Sequence, residues 1–134
     1  MTSAASRDTA ADPIDELIID VFNRACPSRQ AMETVADKWG TLALVALTEG
    51  AYRFNALRRR VDGVSEKMLA RTLQALERDG LVTRDVQATI PPRVEYTLTA
   101  PGTRIAAALR ALLDALEAEI PAIMTAREDY DQRH

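Results

Sequence analysis

The chain has little of what most catalytic and metal centres are made from. Its 134 residues include one cysteine, Cys26, and one histidine, the C-terminal His134. A single cysteine excludes an internal disulfide framework. With one terminal histidine, a zinc site of the usual Cys/His kind is not expected, and a Ser-His-Asp or Cys-His device has no internal histidine to use. The five glycines are scattered singly, so there is no Gly-rich phosphate loop. No enzymatic activity, metal or cofactor is therefore expected. No stretch approaches the run of about 20 apolar residues that spans a bilayer. The opening MTSAASRDTAADP is small and polar and lacks the apolar centre of a signal peptide. Residues 1–11 are expected to be a disordered leader, and the location cytoplasmic, with no membrane partner.

What is present is an ordinary globular composition, 47% apolar and 28% charged, at a length suited to one domain. The net charge of -3 is unevenly spread. Arg53 to Arg93 holds nine basic and five acidic residues, a net of +4, which leaves -7 for the rest of the chain. A basic middle between acidic ends points to a polyanionic partner. Against this stands the plainer reading that Arg-rich helix faces are solvated surface.

Helical spacing recurs along the chain. Residues 12–25, with Asp12 as cap and Ile14, Leu17, Ile18, Val21 and Phe22 as apolar positions, predict a first helix. A shorter one follows from Pro27. Residues 37–50 are apolar on most sides and predict the most buried helix, stopped by Gly50. Residues 52–61 predict a fourth, with Phe54, Leu57 and Val61 inward and Arg58, Arg59 and Arg60 outward. The stretch DGVSEKMLARTLQALERDGLV, residues 62–82, predicts a fifth. Leu69, Leu73 and Leu76 share one of its faces, and Lys67, Arg71, Gln74 and Arg78 the other. The short link through Gly63 makes this pair a helix-turn-helix. Residues 81–87 and 93–99 then alternate as β-formers around ATIPP, which predicts a hairpin with a proline-stiffened tip. Tyr96, alternating with Val94 and Leu98, is expected to face the core. Residues 100–120 return to helix after a Thr99 cap, and Pro121 is expected to end or kink it. The fold expected is mainly α with a small β-hairpin (α+β), a winged helix-turn-helix over residues 12–128. Its DNA-binding core is placed at about 37–99, its dimerisation helices at about 12–25 and 100–120, and a frayed tail at 129–134.

A slim helix anchored by one apolar face can lay its other face in the major groove of double-stranded DNA. Ser65 is the candidate cap or phosphate donor. Lys67, Arg71 and Gln74 are the candidate base readers, with Met68 a further DNA-binding candidate and Thr72 a secondary contact. Arg58 and Arg59 are candidate phosphate contacts, since three adjacent arginines cannot all face one way. Arg93, beside the Pro-Pro tip, is a candidate for the minor groove or backbone; its other reading is an ion pair with Asp85 or Glu95.

The segments CP at 26–27, KWGTLALVAL at 38–47, YRFNALRRRVDGVSEKMLARTLQALERDGLVTR at 52–84 and IPPRVEYTLTAPG at 90–102 resemble the HxlR-type winged helix-turn-helix transcriptional regulators. The likeness covers roughly residues 26–105. It departs at residues 87–89, QAT, which lack the aromatic or acidic residues often met before the two prolines. The resemblance implies a homodimeric bacterial regulator on a palindromic operator. Two-fold pairing agrees with the small number of base pairs that one helix reads. It also gives the spare apolar faces of the first and last helices a partner.

Cys26 precedes a helix start, with Arg24 and Arg29 close in sequence, a setting that lowers a thiol pKa. Some members of the resembled family sense oxidants or electrophiles through a cysteine at this matching position. The other reading of Cys26 is a buried small hydrophobe. Trp39 either lines a pocket for an aromatic effector or packs the core or interface. The function expected is a sequence-specific transcriptional regulator, a repressor, responding to oxidants or to a small aromatic effector. The alternative is a winged protein-interaction module that binds no DNA.

Overall fold

The computed structural model describes residues 20–134. The leader and the opening of the first predicted helix, residues 12–19, lie outside the described residues. The chain divides into two compact units, Met1–Asp37 and Lys38–His134.

In the first unit, residues 20–25 form turns, not the predicted helix. Two side chains explain this. Asp20 Oδ1 accepts the N–H of Phe22 at 3.1 Å, and Asn23 Oδ1 accepts that of Ala25 at 2.9 Å. Such short Asp and Asn bonds offer the backbone an alternative to helical pairing. Helix α1, Pro27–Val35, follows with its proline in the first turn, where a missing N–H costs nothing.

The second unit begins with α2, Lys38–Leu47, which buries Gly40 and the run Ala43–Leu47. Gly50, at φ +138, carries the chain away. Tyr52–Arg53 is then a strand, β1, where the sequence predicts helix. It is held by pairing to a distant segment, Tyr52 opposite Tyr96 and Arg53 opposite Glu95. Helix α3, Phe54–Arg60, buries Leu57. Gly63, at φ +91, turns the chain into α4, Glu66–Arg78.

Strands β2, Val82–Gln87, and β3, Arg93–Leu98, pair antiparallel from Val82 opposite Leu98 to Gln87 opposite Arg93. The sheet is three-stranded, in the order β1-β3-β2. Tyr96 is buried, as its alternation predicts. Thr99 caps α5, Ala100–Arg133, by accepting the N–H of Gly102 at 3.0 Å.

Pro121 neither ends α5 nor leaves 129–133 outside the helix. The residues around it are exposed, so water can serve the carbonyl that loses its donor. Good helix formers on either side carry the helix through. No helix among the described residues is long and apolar enough to cross a membrane.

Candidate nucleic-acid interface

Helix α4 is specified at both ends. Ser65 accepts the N–H of Met68 at 3.0 Å, and Glu66 lies in the first turn, where its charge suits the positive end of the helix dipole. At the other end, Leu81 N–H donates to Leu76 O and Gly80 N–H to Glu77 O, each at 3.0 Å. This is a Schellman closure, and its left-handed position is filled by Gly80 at φ +74. Leu69, Leu73 and Leu76 are at most 1% exposed. Burying three leucines contributes about 1.5–3 kcal/mol each and fixes the roll of the helix.

The opposite face presents Lys67, Arg71, Gln74 and Arg78, all exposed, with Met68 half-buried beside them. Thr72 belongs elsewhere. It is only 8% exposed and sits with the leucines, so it is corrected from contact candidate to core position. One residue from Arg71 is about 100° around a helix, enough to take Thr72 off the outward face.

The arginine triplet splits three ways. Arg60 forms a close pair with Glu49, Nε to Oε1 at 2.9 Å and Nη2 to Oε2 at 2.6 Å. Arg58 stands 4.0 Å from Glu66, while Arg59 lines a cleft between α3 and the wing. Arg53, Arg59, Lys67, Arg71, Arg78, Arg84 and Arg93 have no acidic partner within 4.0 Å among the described residues. Arg93 therefore does not make the ion pair with Asp85 or Glu95 that was its other reading. Glu95 instead accepts from Gln87 Nε2 at 3.0 Å.

Residues 34–124 match the HxlR-like helix-turn-helix family model. The chain belongs to the HxlR-like family. It is 46% identical over 110 residues to the HTH-type transcriptional regulator YtfH of Escherichia coli (strain K12), which covers 82% of this chain and 87% of that protein. The solved structure of the transcriptional regulator ytfH from Salmonella typhimurium superposes with a TM-score of 0.76 at 46% identity, over 81% of this chain and 97% of that one. The redox regulator HypR in its oxidised form superposes with a TM-score of 0.64 at 31% identity, over 69% and 96%. This HxlR-like chain is thus a helix-turn-helix transcriptional regulator with a winged-helix fold.

Cys26 of this HxlR-like chain is buried. Burial pushes its thiol pKa up, but the nearby backbone N–H groups of Arg29 and Ser28 and the Ser28 hydroxyl favour the thiolate and bring the balance below the ordinary value. Trp39 is half-buried, with Lys38 Nζ 4.4 Å above its ring. A methyl at Gly63 would stand 3.8 Å from the ring edge, so the indole packs against the turn of the helix-turn-helix.

Glu49 is a joint that sequence reasoning missed. Besides Arg60, it accepts the Tyr52 hydroxyl at 2.6 Å and so ties β1 to the end of α3. The Arg60 bonds, then that of Tyr52, lower its pKa from 4.5 to about 2. A carboxylate with a depressed folded-state pKa contributes stability above its unfolded value and loses it as pH falls through the folded one. The link should therefore be fully present above pH 4.5 and weaken towards pH 2. Glu49→Gln should flatten this part of the acid limb in a pH series of thermal melts. A limb identical to wild type would show that the pair adds nothing to stability.

Proposed function

We propose that this regulator represses transcription by sitting as a homodimer on a palindromic operator, with one α4 in each of two successive major grooves. One observation carries the reading: α4 is clamped by three buried leucines while Lys67, Arg71, Gln74 and Arg78 face outward, exposed and free of acidic partners among the described residues. Arginine and lysine suit guanine, and glutamine suits adenine. Ser65 and Arg58 stand at the helix start, where backbone phosphates pass, and Arg93 serves at the wing.

The spare apolar residues of α5 support the two-fold partner. Leu112, Leu116, Ile120 and Met124 are 44–54% exposed and recur every four residues. A small soluble monomer has little reason to carry such a stripe.

The oxidant-responsive form of the reading rests on the lowered Cys26 thiol and on the likeness to a protein described as a redox regulator. With no second cysteine in the chain, its oxidised partner must be another subunit or a small thiol.

The test is fluorescence anisotropy of the protein on duplex DNA from its own upstream region, reduced and diamide-treated, across a salt series. Tight binding that weakens steeply with salt is expected. Arg71→Ala should cost about 1–3 kcal/mol of specific affinity, roughly 5- to 150-fold, and leave scrambled DNA bound nearly as before. Unchanged specific affinity would remove α4 as the reader and favour a protein-binding use of the basic face. A diamide effect that persists in Cys26→Ser would dismiss Cys26 as the switch.

A further inference from the structure

A cleft of about 640 Å³ lies within Lys38–His134, between α2, the turn that follows α3 and the middle of α5. Its size suits a small organic ligand. Val45 and Ala46 of α2 and Val61 at the end of α3 line it and are buried. Leu113, Leu116 and Ile120 form its α5 wall, beyond the last buried residue of that helix.

Five charged side chains line the cleft as well: Glu49, Arg60, Asp62, Arg110 and Glu117. Both arginines are already engaged. Arg60 is held by the two oxygens of Glu49. Arg110 reaches Asp114 at 2.8 Å and Glu117 at 3.2 Å, and its charge also acts on Glu49. The hydroxyl of Thr48, also in the lining, donates to Val45 O at 2.6 Å. Asp62 has no basic partner within 4.0 Å among the described residues. Arg58 and Arg59, one helical turn before it, do not line this cleft.

The charges decide what the cleft can take. Glu49 and Arg60 cancel. Asp114 and Glu117 share one arginine, which leaves one negative charge over, and Asp62 adds a second. An anion would meet no free cation here. A neutral apolar molecule would cover the floor and leave Asp62 unanswered. A cation with an apolar body matches both the floor and the excess charge.

We propose that this cleft binds a monovalent organic cation with an apolar body, its charge against Asp62 and its apolar groups on Val45, Val61 and Leu113. The inference goes beyond the DNA-binding reading and does not depend on it. Asp62 immediately precedes Gly63, where the chain turns into α4, and Leu116 belongs to the exposed stripe of α5. A ligand in the cleft therefore touches the helix-turn-helix and the surface proposed for pairing at once.

The test uses two ions of one shape and opposite charge, tetraphenylphosphonium and tetraphenylborate, titrated into the full chain by calorimetry without DNA. Tetraphenylphosphonium should bind once per chain, more weakly as salt rises, and tetraphenylborate should not bind. Asp62→Asn should weaken the cation by about fivefold, the scale of one ion pair near the surface. Asp62 is exposed, so the melting point should hold. Asp85→Asn removes the same charge from β2, which does not line the cleft, and should leave the affinity as it was. Equal affinity for the two ions overturns the proposal, since apolar contact alone would then explain it. Equal effects of Asp62→Asn and Asp85→Asn overturn it too, because the attraction would belong to the whole chain. Binding of neither ion ends it and leaves the cleft to a second copy. None of these outcomes alters the test of α4 on DNA.

Discussion

Gly102→Ala is expected to destabilise this protein by about 3 kcal/mol, a loss at the top of the usual range for overpacking. A Cβ on Gly102 would overlap the backbone carbonyl oxygen of Leu81 and lie 2.9 Å from its carbonyl carbon. The obstacle is backbone, so no rotamer change relieves it. Leu81 cannot retreat freely either. Its carbonyl accepts the N–H of Thr99 at 3.1 Å, and its own N–H closes the end of α4 on Leu76 O. Thr99 adds a hydroxyl bond to Gly80 O at 2.7 Å and caps Gly102 N–H. The end of α4, the start of β2 and the start of α5 therefore meet at one point, and Gly102 is the spacer that lets them. The sign makes the test sharp. Gly102 is helical and its conformation asks for no glycine, so without the clash alanine would gain about 1 kcal/mol from helix propensity. A melting point lower by roughly 12–24 °C is expected, taking about 4–8 °C per kcal/mol for a unit of this size. Gly80→Ala is the contrast. Nothing lies within 4 Å of its Cβ position, and only its positive φ opposes the change, at about 1–2 kcal/mol. If Gly102→Ala melts at or above wild type, the close approach to Leu81 is not a constraint on the fold.

That junction was only half legible in the sequence. Thr99 reads as a cap from its type and place, and Gly80 as a helix end, because both signals are local. The approach of Gly102 to Leu81 is not local and leaves no pattern in either segment. The same division holds elsewhere. Helix α4 was readable because its cap, leucine spacing and stop all lie within one stretch, and the wing because β-formers flank two prolines. Strand β1 was not readable, since Tyr52 and Arg53 are extended only because β3 pairs with them. Val21 and Phe22 have helical spacing, but the Asp20 and Asn23 side chains spend their oxygens on nearby N–H groups, and periodicity does not register that. At the candidate interface, residue type and spacing put Lys67, Arg71 and Gln74 on one face of α4, and that face is exposed. They misplaced Thr72, because the exact roll of α4 is set by what the leucines meet. The triplet Arg58–Arg60 showed that its members must diverge. Which one points where depends on Glu49 and Glu66, one before the triplet and one beyond the turn.

Charging the α5 stripe with Leu112→Glu and Leu116→Glu together is expected to turn a dimer into a monomer and to cost at least about a hundredfold in operator affinity, the scale on which two linked contacts exceed one. The argument starts from position. The buried contacts of α5 come from Gly102, Ala106 and Leu109, all in its first third. Beyond them Leu112, Leu116, Ile120 and Met124 continue one apolar line into solvent. Arg110 pairs with Asp114 at 2.8 Å and with Glu117 at 3.2 Å beside that line, a polar rim to an apolar strip. Such a strip is satisfied by another like it, and a two-fold axis supplies one from a second copy. An apolar side chain gains about 1.5–3 kcal/mol at full burial, and these four, 44–54% exposed in the single chain, would gain about half of that each on pairing, on both copies. Placing four carboxylates in that seam, two from each copy, leaves charges that are costly to bury without partners. Both leucines are about half-exposed in the single chain, so the double variant should keep its helical circular dichroism and its melting transition. That separates lost pairing from lost folding. Light scattering gives the mass and anisotropy gives the affinity. A variant that remains dimeric would move the interface away from α5. A monomer that binds the operator as tightly as wild type would show that one recognition helix is enough, and would remove the reason for expecting a palindrome.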